Sequence, residues 1–196
     1  MAEGIEWLLE PYVVDCVTFA RGIEPADLVA RLGGRPGQKP RGASADDAVD
    51  ALAAPDVDSV ARVGRVHDWS FAVEYGDAVG STAAGLEAVS RDGVEAINFL
   101  LTPWHPPSTF TYYRDAALTC SFGIGQETWR RGRNPDLLVP ALEEAGVLPV
   151  GRQLTDAARR RGRQLSVLAI GAHFGLRLPR HDIVEGRLPL YRVRER

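Results

Sequence analysis

The sequence predicts an α+β fold, with a mainly antiparallel sheet of about six strands and helices packed on one face. Three observations lead to it. The residues Trp69 to Tyr75 alternate strictly: Trp69, Phe71, Val73 and Tyr75 point one way, and Ser70, Ala72 and Glu74 the other. Runs rich in β-branched and aromatic residues come in pairs across short connections, 59–66 with 69–75 across His67-Asp68, and 109–113 with 117–122 across Arg114-Asp115-Ala116. Between them lie short segments with helical spacing, bounded by Ser, Thr, Pro and Gly.

Taken in order, residues 5–10 form a short helix before Pro11, with Trp7 and Leu8 inward. Tyr12 to Ala20 is β-rich and reads as a strand, and Arg21-Gly22 turns the chain. Pro25 suits the first turn of a helix over 25–32, which Gly33-Gly34 stops. The segment from Arg35 to Ala43 lacks any large apolar residue and reads as an exposed loop. Ser44 caps a helix through Ala54, and the first hairpin follows. Ser81-Thr82 starts another helix, and Val94 to Leu101 is a strand. The run Pro103-Trp104-His105-Pro106-Pro107 cannot pair in a central strand, so it is a loop. After the second hairpin comes a polar loop, then a helical stretch over 135–145 that breaks or truly begins at Pro140.

Thr155 then caps a long helix, 156–174, arginine-rich in its first half and apolar nearly all round in its second. Its basic half is expected to project while its apolar half is buried. A short helix near 179–185 and a strand over 188–193 end the chain. The whole reads as a single α+β domain, 1–196, with the C-terminal helical segment of about 152–186 packed on it.

Net charge is −3, unevenly spread: −6 over residues 1–58, −4 over 59–150 and +7 over 151–196. The simplest account is attraction between an acidic N-terminal third and a basic C-terminal segment; a polyanion site on the latter is the sharper one. Lys39 is the sole lysine among 23 basic residues, so the arginines look like codon bias rather than a nucleic-acid signature. Cys16 and Cys120 sit in apolar strand-like runs and read as buried free thiols; a lone disulfide would suit an oxidising compartment. The N-terminus lacks a signal peptide's basic flank and apolar core, and no apolar run approaches a membrane span. The expectation is a cytoplasmic protein with no membrane partner.

The sequence offers no catalytic constellation. His67, His105, His173 and His181 are far apart, and neither cysteine has a partner at metal-binding spacing, so no metal or cofactor is expected. A nucleophile elbow, a phosphate loop and a dinucleotide fingerprint are all missing. Two features stand out as candidate binding sites. One is the loop with Trp104 and His105. The other is Trp129 followed by Arg130, Arg131 and Arg133, where an aromatic beside arginines suits an interaction hot spot. Against that, each Trp can simply lid an edge of the core, with arginine stems lying over it.

The run Cys16-Val17-Thr18-Phe19-Ala20-Arg21-Gly22, with Pro25, Leu28 and Leu32-Gly33, and the run Asp68-Trp69-Ser70-Phe71-Ala72-Val73-Glu74 after Val63-Gly64, resemble an actinobacterial family of uncharacterised proteins. The likeness continues through Ser121-Phe122, Arg131-Gly132, Pro135-Asp136, Leu178 and Glu185-Gly186. These are packing and turn motifs, so the resemblance implies a fold and carries no catalytic residue. The resulting expectation is a non-enzymatic interaction protein, a regulatory or immunity-type binder with a protein partner. The alternative is a small-molecule-binding protein or an enzyme of specialised metabolism, with a pocket between the sheet and the long helix and His105, Tyr112 and Tyr113 as polar groups. Nucleic-acid binding through Arg159-Arg160-Arg161-Gly162-Arg163 ranks third and is not expected.

Overall fold

The computed structural model describes residues 4–11, 13–35, 37–101, 107–148 and 156–195, with the backbone alone at 156, 158, 194 and 195. Along the chain run β1 (Cys16–Arg21), α1 (Pro25–Arg31), β2 (Arg41–Ala43), α2 (Ala45–Ala51), β3 (Val57–Val66), β4 (Trp69–Gly76), α3 (Ala83–Val89) and β5 (Glu95–Leu100). Then come β6 (Thr109–Arg114), β7 (Ala117–Gly123), α4 (Val139–Glu144), α5 (Asp156–Phe174), α6 (Arg180–Val184) and β8 (Leu188–Glu195). The eight strands form one sheet in the order β2-β8-β3-β4-β1-β5-β6-β7. Every pairing is antiparallel.

The α+β class and the antiparallel sheet stand, but the sheet has eight strands rather than about six. One addition is β2, three residues inside the segment expected to be a loop; Arg41, Gly42 and Ala43 pair with Leu190, Pro189 and Leu188. Meanwhile β8 enters the sheet between β2 and β3. The expectation of helices on one face is also corrected. Val17, Phe19, Trp69, Phe71, Val73, Ile97, Phe99 and Phe110 pack on one face with Val167, Ile170 and Phe174 of α5. Ala20, Ala61, Val63 and Ala72 pack on the other with Leu28 and Val29 of α1 and Leu86 and Val89 of α3. Ser70, Ala72 and Glu74 therefore lie under helices rather than in water, which is why β4 is buried from Trp69 through Glu74. Small residues on the second face let α1 and α3 approach closely.

Local signals act as the sequence implies. The Ser44 side chain accepts from Asp47 N, and the Asp47 carboxylate accepts from Ser44 N, completing a capping box on α2. The Thr82 hydroxyl accepts from Gly85 N at 3.0 Å and starts α3. Pro140 lies in the first turn of α4, so it begins the helix rather than breaking it. The Asp115-Ala116 connection turns through positive φ at both residues, 51° and 55°, as a two-residue hairpin requires. Thr155, the expected cap of α5, lies outside the described residues.

The C-terminal segment is fastened to the sheet by polar contacts that end its helices. Phe174 O, at the last turn of α5, accepts from Arg21 Nη2 (2.6 Å) and Trp69 Nε1 (3.1 Å). Trp7 Nε1 donates to Leu178 O. Arg62, completely buried, donates from Nε to Ala43 O, from Nη1 to Ile183 O (2.7 Å) and Tyr75 Oη, and from Nη2 to Gly186 O (2.8 Å) and Asp182 O. One guanidinium thus caps the carbonyls of α6 and ties them to β2 and β4.

Candidate functional site

The apolar half of α5 fixes the position of its basic half. With Val167 and Ile170 locked in the core, Arg159, Arg160 and Arg163 one to two turns earlier line a cavity of about 840 Å³. Apolar walls come from Leu8 and Leu9 near the N-terminus, from Leu101 and Ile124 at the strand ends, and from Val147 after α4. The loop after β7 reaches α5 through Gly125, whose φ of +93° suits glycine; a Cβ there would lie 3.3 Å from Arg163 Cγ. Arg163 Nη2 donates to Ser108 Oγ at 3.1 Å. Its Nε, shielded from solvent, has no acceptor among the described residues.

Two carboxylates line this cavity, and both are engaged. Glu127, 2% exposed, accepts from Gly125 N and Ser166 Oγ, each at 2.6 Å. Glu10 pairs with Arg180 at 2.8 Å. Neither makes a salt bridge to Arg159, Arg160 or Arg163. The expected projection of the basic half is therefore a partial truth: Arg159, Arg160 and Arg161 are exposed, yet the first two form a cavity wall.

A second cavity, about 640 Å³, opens at the end of β1 and β4 beside α2. At its base Glu74 is almost wholly buried. Its carboxylate accepts from Thr18 Oγ1 (2.9 Å) and from Gly80 N (3.0 Å at Oε2), and Cys16 Sγ lies 3.9 Å away. Asn98 Nδ2 donates to Cys16 Sγ and Thr18 Oγ1. Burial raises the Glu74 pKa despite these donors, and burial raises that of Asp15 as well. The Cys16 thiol is pushed well up, by burial first and then by Glu74, and burial pushes Cys120 up to about 11. Neither thiol is poised as a nucleophile. Both are buried and free, and they lie on opposite faces of the sheet. Gly80 is needed for the carboxylate to reach the backbone, because a Cβ there would overlap Thr18 Oγ1 and Glu74 Oε1. The arrangement staples the loop after β4 to the sheet.

The residues singled out from sequence are scattered. Trp104 and His105 lie outside the described residues. Trp129 is 81% exposed. Arg130 is engaged at its own loop, with Nη2 on Asp136 Oδ1 (2.7 Å) and Nη1 on Glu127 O (2.7 Å). Arg131 and Arg133 have exposed side chains, while their backbone N–H groups donate to Ser121 O and Leu118 O of β7. The segment thereby covers the outer edge of the sheet. Tyr112 and Tyr113 point to opposite faces of β6; Tyr112 packs on Phe174, and neither lines the cavity at α5.

Sequence reasoning missed Arg62, Glu74 and Glu127. A glutamate on the polar side of an aromatic strand carries no mark of burial until the second face is known to be covered. The arginine run of α5 is legible in the sequence only as a basic segment that attracts the acidic N-terminal third or a polyanion; its cavity depends on chain segments far apart in sequence.

Among the described residues, no group of three or more His, Cys, Asp or Glu side chains is placed to hold a metal ion, and no helix is long and apolar enough to cross a membrane. No curated protein and no solved structure matches the chain. Residues 5–177, which take in β1 to β7, the cavity-lining arginines and the Glu74 network, match the model of DUF6461, a family of unknown function, and the chain belongs to that family.

Proposed function

We propose that the chain is a cytoplasmic binding protein that holds a small organic molecule in the cavity beside α5. The observation that carries this reading is the cavity itself. Its volume of about 840 Å³ and its apolar walls at Leu8, Leu9, Leu101, Ile124 and Val147 are those of a ligand pocket. Two buried free thiols suit a reducing compartment. No catalytic step is assigned: the cavity's buried carboxylate, Glu127, is committed to Gly125 and Ser166, and both thiols are held protonated.

The test uses N-phenyl-1-naphthylamine, an uncharged probe that fluoresces away from water. Titration should give a saturable, one-to-one rise in emission, weakened in a folded Leu9→Glu variant. An unsaturable rise, or identical curves for the two proteins, would contradict the reading.

A second reading, a protein partner docking on the outer edge, is favoured by the 81% exposure of Trp129 beside the exposed Arg131 and Arg133. A pull-down from native lysate with Trp129→Ala/Arg131→Ala as control checks it. A partner lost with the double variant supports docking, whereas the same proteins recovered with both chains contradicts it.

A further inference from the structure

We infer that the cavity beside α5 selects an organic anion, an apolar body carrying a carboxylate or phosphate head, with Arg163 and Arg160 as the groups that hold the head. The inference rests on the reading that this cavity holds a small ligand, and it adds the ligand's charge and orientation. Three arginines and two carboxylates line the cavity. Glu10 is paired with Arg180, while Glu127, hydrogen-bonded to a backbone N–H and a hydroxyl, still sets one formal negative charge against the three arginines. Arg159, Arg160 and Arg163 make no salt bridge to any described residue. A concave site with low-dielectric walls concentrates the excess positive charge that remains after Glu127 is counted.

The second observation is the state of Arg163. Its Nη2 is fixed by Ser108, and its stem lies against Gly125, so the guanidinium is held in place before any ligand arrives. Its Nε has no acceptor among the described residues although solvent does not reach it. That N–H is shut off from the cavity as well, so an entering anion is met by Nη1, which makes no hydrogen bond to a described residue and is not among the shielded atoms; a charged acceptor there forms the stronger kind of hydrogen bond. The fork geometry of arginine suits a carboxylate or a phosphate equally, so the head group is defined by charge and planar recognition.

The third observation gives orientation. Leu8, Leu9, Leu101, Ile124 and Val147 supply the apolar share of the lining, while the arginines all come from α5. A ligand with its head against α5 and its body along these residues satisfies both parts. An inorganic anion alone uses only the first.

Displacement of N-phenyl-1-naphthylamine by dodecanoate, dodecyl phosphate, dodecan-1-ol and inorganic phosphate tests this on the full chain. The two amphiphilic anions should displace the probe at concentrations about tenfold or more below dodecan-1-ol. Inorganic phosphate should displace little, and the relative potency of the two anions identifies the head. In Arg163→Gln and in Arg160→Gln, the preference for anions, read against dodecan-1-ol on the same variant, should shrink toward equality. Arg163→Lys should restore part of it. Equal potency of dodecanoate, dodecyl phosphate and dodecan-1-ol, with the probe bound, would overturn the inference and leave the cavity reading intact. An unchanged preference in both Gln variants would overturn the assignment of these arginines. A probe that does not bind at all overturns both.

Discussion

Arg62, wholly buried, and Arg163, half-buried, lie beside the same sheet, and they end in opposite states. Arg62 is enclosed by its own chain: Ala43, Asp182, Ile183 and Gly186 give their carbonyls and Tyr75 its hydroxyl, so its donors all have acceptors. Arg163 finds Ser108 on one arm, while its other arm, Nη1, makes no hydrogen bond to a described residue. A saturated buried charge belongs to the architecture, because nothing else can be offered to it. A constrained and incompletely satisfied charge at a cavity wall has capacity left for a ligand. Glu74 falls with Arg62, since Thr18 and Gly80 supply its donors and it holds a loop rather than a substrate.

The sharpest way to break this contrast is to remove Arg62. Arg62→Leu leaves the carbonyls of α6 and Ala43 without donors, and the expected loss is about 4 kcal/mol or more, read from denaturant unfolding. A loss below about 1 kcal/mol would mean that the guanidinium does not fasten the C-terminal segment. Next comes Gly80→Ala. A methyl group there must push into Thr18 Oγ1 and Glu74 Oε1, so about 2 kcal/mol of destabilisation is expected in thermal or chemical unfolding. Unchanged stability would show that the Glu74 staple is loose.

Glu74→Gln gives a smaller, pH-dependent effect. Burial raises the folded pKa of Glu74 above the ordinary 4.5. Stability linked to this group is therefore fully present below the ordinary value and is lost as pH rises through the folded one. Unfolding free energies measured from pH 4.5 to 8 should fall more steeply for the wild type than for Glu74→Gln. Parallel curves would contradict the raised pKa.

Much of the fold was legible in the sequence because its signals are local. The alternation of Trp69 to Tyr75, the Ser44 and Thr82 caps, Pro25 and the two-residue connections each fix their element within one or two turns of chain. The second helical layer was not legible. Ala61, Ala72 and Ala20 look like a neutral strand face until α1 and α3 are seen lying on them. Strand β2 was hidden for a similar reason: Arg41, Gly42 and Ala43 have no strand propensity and pair only because β8 is there to receive them. The candidate site was less legible still. Its arginines were visible as a run, but their meaning comes from Ser108, Gly125 and Glu127, which meet α5 through tertiary packing alone. The Trp129 segment stands out in the sequence for its side chains, whereas its backbone on the edge of β7 is the part with a defined structural task.

The most direct test of the contrast is a thermal-unfolding comparison of wild type, Arg62→Leu and Arg163→Gln, each with and without saturating dodecanoate. The expected result is a fall on the order of 10 °C for Arg62→Leu without ligand, from about 4 kcal/mol lost in a chain of this size. Arg163→Gln should unfold within about 2 °C of wild type without ligand but lose most of the rise that dodecanoate gives the wild type. If Arg163→Gln instead falls as far as Arg62→Leu without ligand, or keeps the full dodecanoate-induced rise, then Arg163 is one more structural charge and the central claim is wrong.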